Sequence, residues 1–354
     1  MKNNLILLLT CLVLSCSNRE QHYKDAVLYD LNDFGNPIDL KGEILPLDSI
    51  WKPTRIWSKD SFLILAESSD DYLVHIFHKE KGNKIACNIP YGIGPDERLN
   101  CWSLQLGKTN VWSFDMQKGL VTCYPTPDFF TKNDIRPTRS IGLKGGVTGV
   151  VCLPDGRIVT SALSDTKNLL SVHDSDGNMD TTVYTPYPEL QNIILPENME
   201  KRFFENRIYY NEKSNKIVLF YVYTDLIDIY DSNLQLTARI HGPDQFIPEL
   251  KVHEIDGKKQ AGAIPNKTKF AFLSGCLTDN EIWVLYYGIS PEPGKELQDR
   301  IFVYDYTGKP LRAFQLQYPI STFCVDNDGS LYGLSEQPEP CVIKFGPAHI
   351  VSIK

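Results

Sequence analysis

Apolar residues in this chain gather in short runs rich in Val, Ile, Tyr and Trp that alternate with polar positions at period two, which predicts strands and excludes helical repeats. Six such runs each follow a turn-type dipeptide: Lys59-Asp60 before Phe62–Leu65, Thr109-Asn110 before Val111–Phe114, Asp155-Gly156 before Ile158–Thr160, Ser214-Asn215 before Ile217–Tyr221, Asp279-Asn280 before Ile282–Tyr286, and Asp328-Gly329 before Leu331–Leu334. Asn, Asp and Gly tolerate the positive φ that tight hairpins require, so each dipeptide predicts a two-strand turn. The second turn residues recur at 60, 110, 156, 215, 280 and 329, in steps of 46 to 65 residues. A second set of strands keeps the same beat: Val74–Phe77, Leu120–Tyr124, Leu169–His173, Leu226–Tyr230, Ile301–Tyr304 and Cys341–Phe345. Each is followed by a polar or breaker residue 15 to 25 positions past its turn.

A recurring unit of about 50 residues with four short strands predicts a propeller blade. The expected fold is therefore all-β, a single six-bladed β-propeller of four-stranded antiparallel blades. A β-sandwich also has many strands, but it does not predict a four-strand unit recurring sixfold. A blade exposes two apolar faces, so each packs on its neighbours and the ring must close. Closure calls for a strand from one terminus in the last blade, and Glu43–Leu47 and Ile350–Ile353 compete for that place.

The start of the chain is different in kind. Residues 1–16 read MKNNLILLLTCLVLSC, with a positive Lys2 and a short apolar run from Leu5 to Leu14. That run is too short to span a bilayer and reads as a signal peptide. Val13-Leu14-Ser15-Cys16 resembles a bacterial lipobox, which implies diacylglycerol on the Cys16 thiol and cleavage before it. Two or three acyl chains anchor stably where one is marginal. The expected layout is a signal peptide over 1–15, a lipidated Cys16 with a polar tether to residue 36, poorly ordered from Ser17 to Lys24, and the propeller over 37–354. The expected location is the outer membrane, on its periplasmic or its surface side.

Composition narrows the rest. The chain has 354 residues, 44 acidic against 36 basic, and a formal charge of −8, which argues against a nucleic-acid partner. Besides Cys11 and Cys16 there are Cys87, Cys101, Cys123, Cys152, Cys276, Cys324 and Cys341, an odd and widely spaced set. It suits neither a disulfide framework nor a zinc site, and several lie in apolar runs, so buried free thiols are expected.

The signal with Cys16, the sixfold rhythm and Tyr91-Gly92-Ile93-Gly94-Pro95-Asp96-Glu97 after the first blade together resemble the TolB-like six-bladed propeller lipoproteins of Bacteroidetes. Gly92, Gly94, Pro95 and Glu97 match a Gly-x-Gly-Pro-x-Glu stretch often found there in that family. The resemblance covers the mature chain and implies fold and lipoprotein status, without a substrate. Few acidic residues follow Cys16, a departure from stronger surface-export signals.

Long segments around 186–206, 241–270 and 288–300 all fall on the propeller face opposite the tight hairpins, a usual place for recognition. On that face Tyr91, Glu97 and Arg98 form the first candidate, with the charged pair projecting at the channel mouth. His241-Gly242-Pro243-Asp244 echoes it after the fourth blade, which favours a blade-joining turn whose acidic side chain caps backbone amides. Arg202, Glu205 and Arg207 form the second candidate, an aromatic and guanidinium mixture suited to carboxylate or sugar binding, with Pro196–Glu200 forming one helical turn. His75 and His78 point to opposite faces of a strand, and there is no Gly-x-Ser-x-Gly elbow, P-loop or dinucleotide fingerprint. No catalytic residue, metal or cofactor is expected, and the inner strands are expected to be mostly Cys, Val and Leu. The leading reading is a non-catalytic module binding an unidentified protein or glycan. The alternative is a propeller enzyme, a glycan or peptide hydrolase or lyase, with acidic residues at the channel mouth.

Overall fold

The computed structural model describes residues 21–68, 71–162, 168–195, 199–255, 258–290, 297–337 and 339–347. The signal segment, Cys16, Pro196–Asn198 and Ile350–Ile353 lie outside them.

Among the described residues the strands form six antiparallel blades. Blade 1 is Pro53–Lys59, Phe62–Glu67, Tyr72–His78 and Lys84–Pro90. Blade 2 is Ser103–Leu106, Asn110–Asp115, Leu120–Pro125 and Arg139–Gly142. Blade 3 is Val147–Cys152, Ile158–Ala162, Leu170–His173 and Met179–Asp180. Blade 4 is Asn206–Asn211, Lys216–Tyr221, Leu226–Asp231 and Leu236–His241. Blade 5 is Phe270–Leu277, Glu281–Ile289, Gln298–Asp305 and Pro310–Ile320. Blade 6 is Thr322–Val325, Leu331–Ser335, Cys341–Phe345 and, from the other end of the chain, Gly42–Ile44. First strands of successive blades contact one another around a closed ring.

Both sequence markers fall where the periodicity put them. The turn dipeptides join first to second strands, and the second set of runs forms the third strands. Asp60, Gly156, Asn215 and Gly329 adopt positive φ, as a tight hairpin demands. In blades 3, 4 and 5 the Asp after the third strand caps the next turn: Asp231 Oδ1 accepts the amides of Asn233 and Gln235, both at 2.9 Å.

The continuous apolar runs have a packing cause. In Ile217–Tyr221 every side chain is fully buried. Ile217, Leu219 and Tyr221 enter a cluster with Val151, Val159 and Leu170 of blade 3. Val218 and Phe220 turn to Phe272, Ile282 and Phe302 of blade 5. Period two thus sends alternate residues to opposite neighbours. Each such side chain contributes roughly 1.5–3 kcal/mol by burial, so a blade is stable only inside the ring.

Closure uses the first of the two expected segments. Gly42–Ile44 pairs antiparallel with Cys341–Phe345, in the register Ile44 to Ile343 and Gly42 to Phe345. A Cβ on Gly42 would stand 2.7 Å from Ile343 Cγ2, so only glycine fits this seam.

The expected tether is corrected from Gln21 onward. Tyr23 is fully buried and its hydroxyl donates to Thr224 Oγ1 at 3.0 Å. Val27–Leu28 adds a parallel strand to the edge of blade 4, Phe34 is buried against Phe302, and Ile38–Leu40 edges blade 5. The chain therefore straps the rims of blades 4 and 5 before closing blade 6, which covers strand edges that would otherwise stay unpaired. Isolated aromatic residues in a polar stretch carry no period, so this packing is invisible to the hydrophobic pattern.

Candidate functional site

Antiparallel blades direct the connections from each fourth strand to the next first strand, and from second to third strands, to one end of the ring. Two of the three long segments lie there: the connection from blade 3 to blade 4 with its helical turn Glu200–Phe203, and the connection from blade 4 to blade 5 with the hairpin Leu250–Ile255 and Lys258–Ala263; residues 291–296 of the third lie outside the described residues. The loop-rich face is as expected, but its candidate residues divide into two groups.

The first group is mostly structural. Glu97 Oε2 accepts the Gly94 amide at 2.7 Å and closes the loop on itself. Gly92 has φ 154°, and a Cβ there would meet that carboxylate. Arg98 does not project at the mouth. It is buried, its Nε donates to Thr122 Oγ1 at 3.0 Å, and its Nη1 donates to the carbonyls of Pro95 and Glu97 at 3.0 and 2.7 Å. Nη2 donates to Ser140 Oγ at 3.2 Å, so one guanidinium pins the blade 1 exit to blade 2. Tyr91 alone of this group stands out, 54% exposed.

His241 is likewise turned inward. It is fully buried, with Nε2 3.2 Å from both the Asp225 carboxylate and the Phe246 carbonyl. Asp225, also fully buried, accepts the amides of Asp244, Gln245 and Phe246 at 2.6, 2.7 and 3.1 Å. The Gly-Pro-Asp echo is a blade joint, and the carboxylate that caps it comes from the blade 4 loop between second and third strands, a long-range partner that no local motif reveals. Gly242 shares the φ of 154° seen at Gly92.

The second group converges at the channel. Glu205 pairs with Arg202 and lies 3.6 Å from Arg207 Nη1. Arg202 stacks over Tyr223 with its guanidinium carbon 5.1 Å from the ring centroid. Arg207 lies over Trp102 at 5.3 Å, and Arg55 lies over the same indole at 4.8 Å. Burial pulls the Arg55 guanidinium below its ordinary value, with Arg207 adding to the pull and Tyr209 opposing it. The Arg207 Nε is buried without a hydrogen-bond partner. Two guanidiniums thus share one carboxylate, and a third shares the Trp102 indole with one of them, where the loop-rich face meets the channel.

Arg55 and Trp102 were not among the sequence candidates. The only signal for Arg55 is the alternation Arg55-x-Trp57-x-Lys59 just ahead of the first apolar run, and Trp102 lies outside it. The expectation of Cys, Val and Leu along the inner strands holds in blades 3, 5 and 6, with Val150, Val151, Cys276 and Cys324, and is corrected in blades 1, 2 and 4. The channel, about 990 Å³, is lined by residues including Arg55, Trp57, Trp102, Gln105, Tyr209 and Asn211. The first strands of blades 1, 2 and 4 face water in the channel and lack the apolar run that marks second strands.

Acidic residues also line the hairpin end of the channel, and their charges are largely paired. Glu281 accepts Arg312 Nη1 and Nη2 at 2.9 and 2.8 Å and Trp283 Nε1 at 3.1 Å. Asp326 pairs with Lys79 and Asp279 with Lys213. Among the described residues no three His, Cys, Asp or Glu side chains gather to hold a metal ion.

This ring-closed propeller, with a guanidinium and indole cluster at one mouth of its channel, defines a class of protein by its architecture. The chain belongs to the TolB-like 6-blade propeller-like family, whose model matches residues 34–328. A protein of Bacteroides fragilis NCTC 9343 named as an exported one superposes with a TM-score of 0.53 at 12% identity, over 91% of this chain and 98% of that one. A member of the DUF4221 family from Bacteroides vulgatus ATCC 8482 gives 0.54 at 11%, over 86% and 97%. At these identities the likeness concerns the fold. No protein of curated function matches the sequence significantly.

Proposed function

We propose that this chain is a lipid-anchored protein of the outer membrane whose propeller is a non-catalytic binding module, taking an acidic group of a protein or glycan at the channel mouth. The observation that carries the reading is the imbalance at that mouth. Arg202 and Arg207 share Glu205, Arg55 shares the Trp102 indole with Arg207, and a buried guanidinium nitrogen of Arg207 lacks an acceptor. An arginine fork recognises carboxylate, sulfate or phosphate oxygens in pairs, and the indole holds two of the forks in place. The paired state of Asp279, Glu281 and Asp326 at the other end favours binding over acid–base hydrolysis, where carboxyl groups must be free to exchange protons.

The anchor rests on Cys16 and its lipobox-like surroundings, and the structural neighbour named for export agrees with that address. Mass spectrometry of the mature N-terminus is expected to give an acylated Cys16, and an unmodified soluble product would remove the anchor. Calorimetric titration with citrate, sulfate and galacturonate tests the mouth. Arg55→Gln and Arg207→Gln are expected to weaken binding about tenfold or more, for the loss of a charge-assisted pair. Lys213→Gln, at the opposite end, is expected to leave it unchanged. Equal losses from all three variants would sink the assignment.

A further inference from the structure

The five most exposed large apolar side chains among the described residues are Trp51, Tyr91, Ile93, Tyr184 and Ile194, at 72, 54, 86, 71 and 96%. All stand at the loop-rich end. Trp51 precedes the first strand of blade 1 and its amide donates to Glu67 Oε1, at the end of the second strand. Tyr91 and Ile93 lie in the connection from blade 1 to blade 2, and Tyr184 and Ile194 in that from blade 3 to blade 4. Val252 and Ile289, 39 and 41% exposed, belong to the same end. Five different connections therefore raise apolar tips in one direction. The hairpin end raises less exposed ones, such as Leu236 at 40% and Leu311 at 37%. Scattered apolar side chains are normal on a protein surface, but their concentration on one face needs a cause.

The chain enters the fold at this same end. Lys24 N–H donates to the Glu189 carbonyl at 2.9 Å, Gln191 N–H donates to the His22 carbonyl at 2.8 Å, and Tyr23 packs edge-on against His241, centroids 4.7 Å apart. Cys16 precedes Gln21 by five residues, a reach of about 18 Å when fully extended. Acyl chains on Cys16 therefore hold the loop-rich end, and not the hairpin end, near the bilayer.

We propose that the loop-rich face lies on the membrane, with Trp51, Tyr91, Ile93, Tyr184 and Ile194 seated in the lipid interface. Tryptophan and tyrosine favour that depth because one end of each ring is apolar and the other wet. The isoleucines add apolar area without charge. A short tether and an apolar rim act as two signals on one face, and the second converts a swivelling attachment into a fixed orientation. The hairpin end then faces away from the lipid, and the arginines at the mouth stand at headgroup level, so the acidic group they take is one of a protein or glycan held at the membrane surface. The inference rests on the lipid anchor proposed above.

The test uses the acylated full-length protein in phosphatidylcholine vesicles, with and without bromine on the acyl chains as a short-range quencher of tryptophan. Flotation reads the anchor and quenching reads the orientation. Wild-type protein is expected to lose emission on brominated vesicles, and Trp51→Phe to abolish most of that loss. Leu311→Trp in the Trp51→Phe background, which places the only added indole at the hairpin end, is expected to restore none of it. Ile93→Asp with Ile194→Asp, both exposed and outside the core, is expected to keep flotation while reducing quenching at least twofold. Protein that floats with no quenching, or with quenching from position 311 equal to that from position 51, overturns the orientation and leaves the anchor standing. Protein that neither floats nor carries acyl chains overturns the anchor itself.

Discussion

Replacing Arg98 with methionine separates a structural arginine from a recognition arginine. The unbranched methionine keeps most of the apolar stem and removes the guanidinium with its four hydrogen bonds, to Thr122, Pro95, Glu97 and Ser140. A hydrogen bond to a charged group contributes at least roughly 1.5 kcal/mol, so four contribute roughly 6 kcal/mol at that low end. All four acceptors are neutral hydroxyls and carbonyls, so removing the buried cation also relieves a desolvation cost of a few kcal/mol. The net loss is about 3 kcal/mol, or roughly 5 °C in Tm for a chain of this size. Urea melts followed by tryptophan fluorescence, with near-UV circular dichroism as a check on the fold, measure it. Arg98→Lys is expected to fall between, since one ammonium cannot reach all four acceptors. A methionine variant within about 0.5 kcal/mol of wild type that loses ligand binding would refute the reasoning and return Arg98 to the binding surface.

Other consequences follow from the same geometry. Gly42→Val forces a side chain against Ile343 and Phe345 at the closing seam and is expected to cost about 1–3 kcal/mol and to speed proteolysis of the N-terminal strap; an unchanged digestion pattern would contradict that register. Burial pushes the thiols of Cys101, Cys152 and Cys324 well up, and that of Cys276 to about 11, so at pH 8 the first three should resist iodoacetamide in the folded protein and react in urea. Labelling of those three at the rate of an exposed thiol would show the blades to be looser than described. Burial holds His173 below its ordinary 6.5 against the opposing pull of the Gly177 carbonyl, so the stability it contributes is present above about pH 6.5 and is lost as pH falls through its lower folded value. Hydrogen bonds from Asn178 hold Asp174 below 3.8, so a second loss is expected only below that pH. Urea midpoints at pH 7.5, 5 and 3 check both steps, and the first should shrink in His173→Asn.

The blade count, the strand order within each blade and the face that carries the insertions were legible in the sequence, because buried second and third strands must show apolar runs and tight turns must show Asn, Asp or Gly. The closing strand was legible as one of two choices. The channel was not. Arg55 and Arg207 lie in first strands and Trp102 just before one, in positions without an apolar run, and these side chains meet only when blades 1, 2 and 4 are bent into one ring. Short-range chemistry also misled at Arg98 and His241. A charged residue beside glycine and proline reads as an exposed loop, and only the tertiary fold supplies the hydroxyls, carbonyls and carboxylate that draw it inside. The strap is the same case in reverse: Tyr23 and Phe34 look like stray aromatics until blades 4 and 5 offer them a surface. Local alternation thus determined what each segment is, since side-chain period is a property of the strand alone. Ring closure decided what each segment touches, since contacts between residues far apart in the chain exist only after the blades have packed.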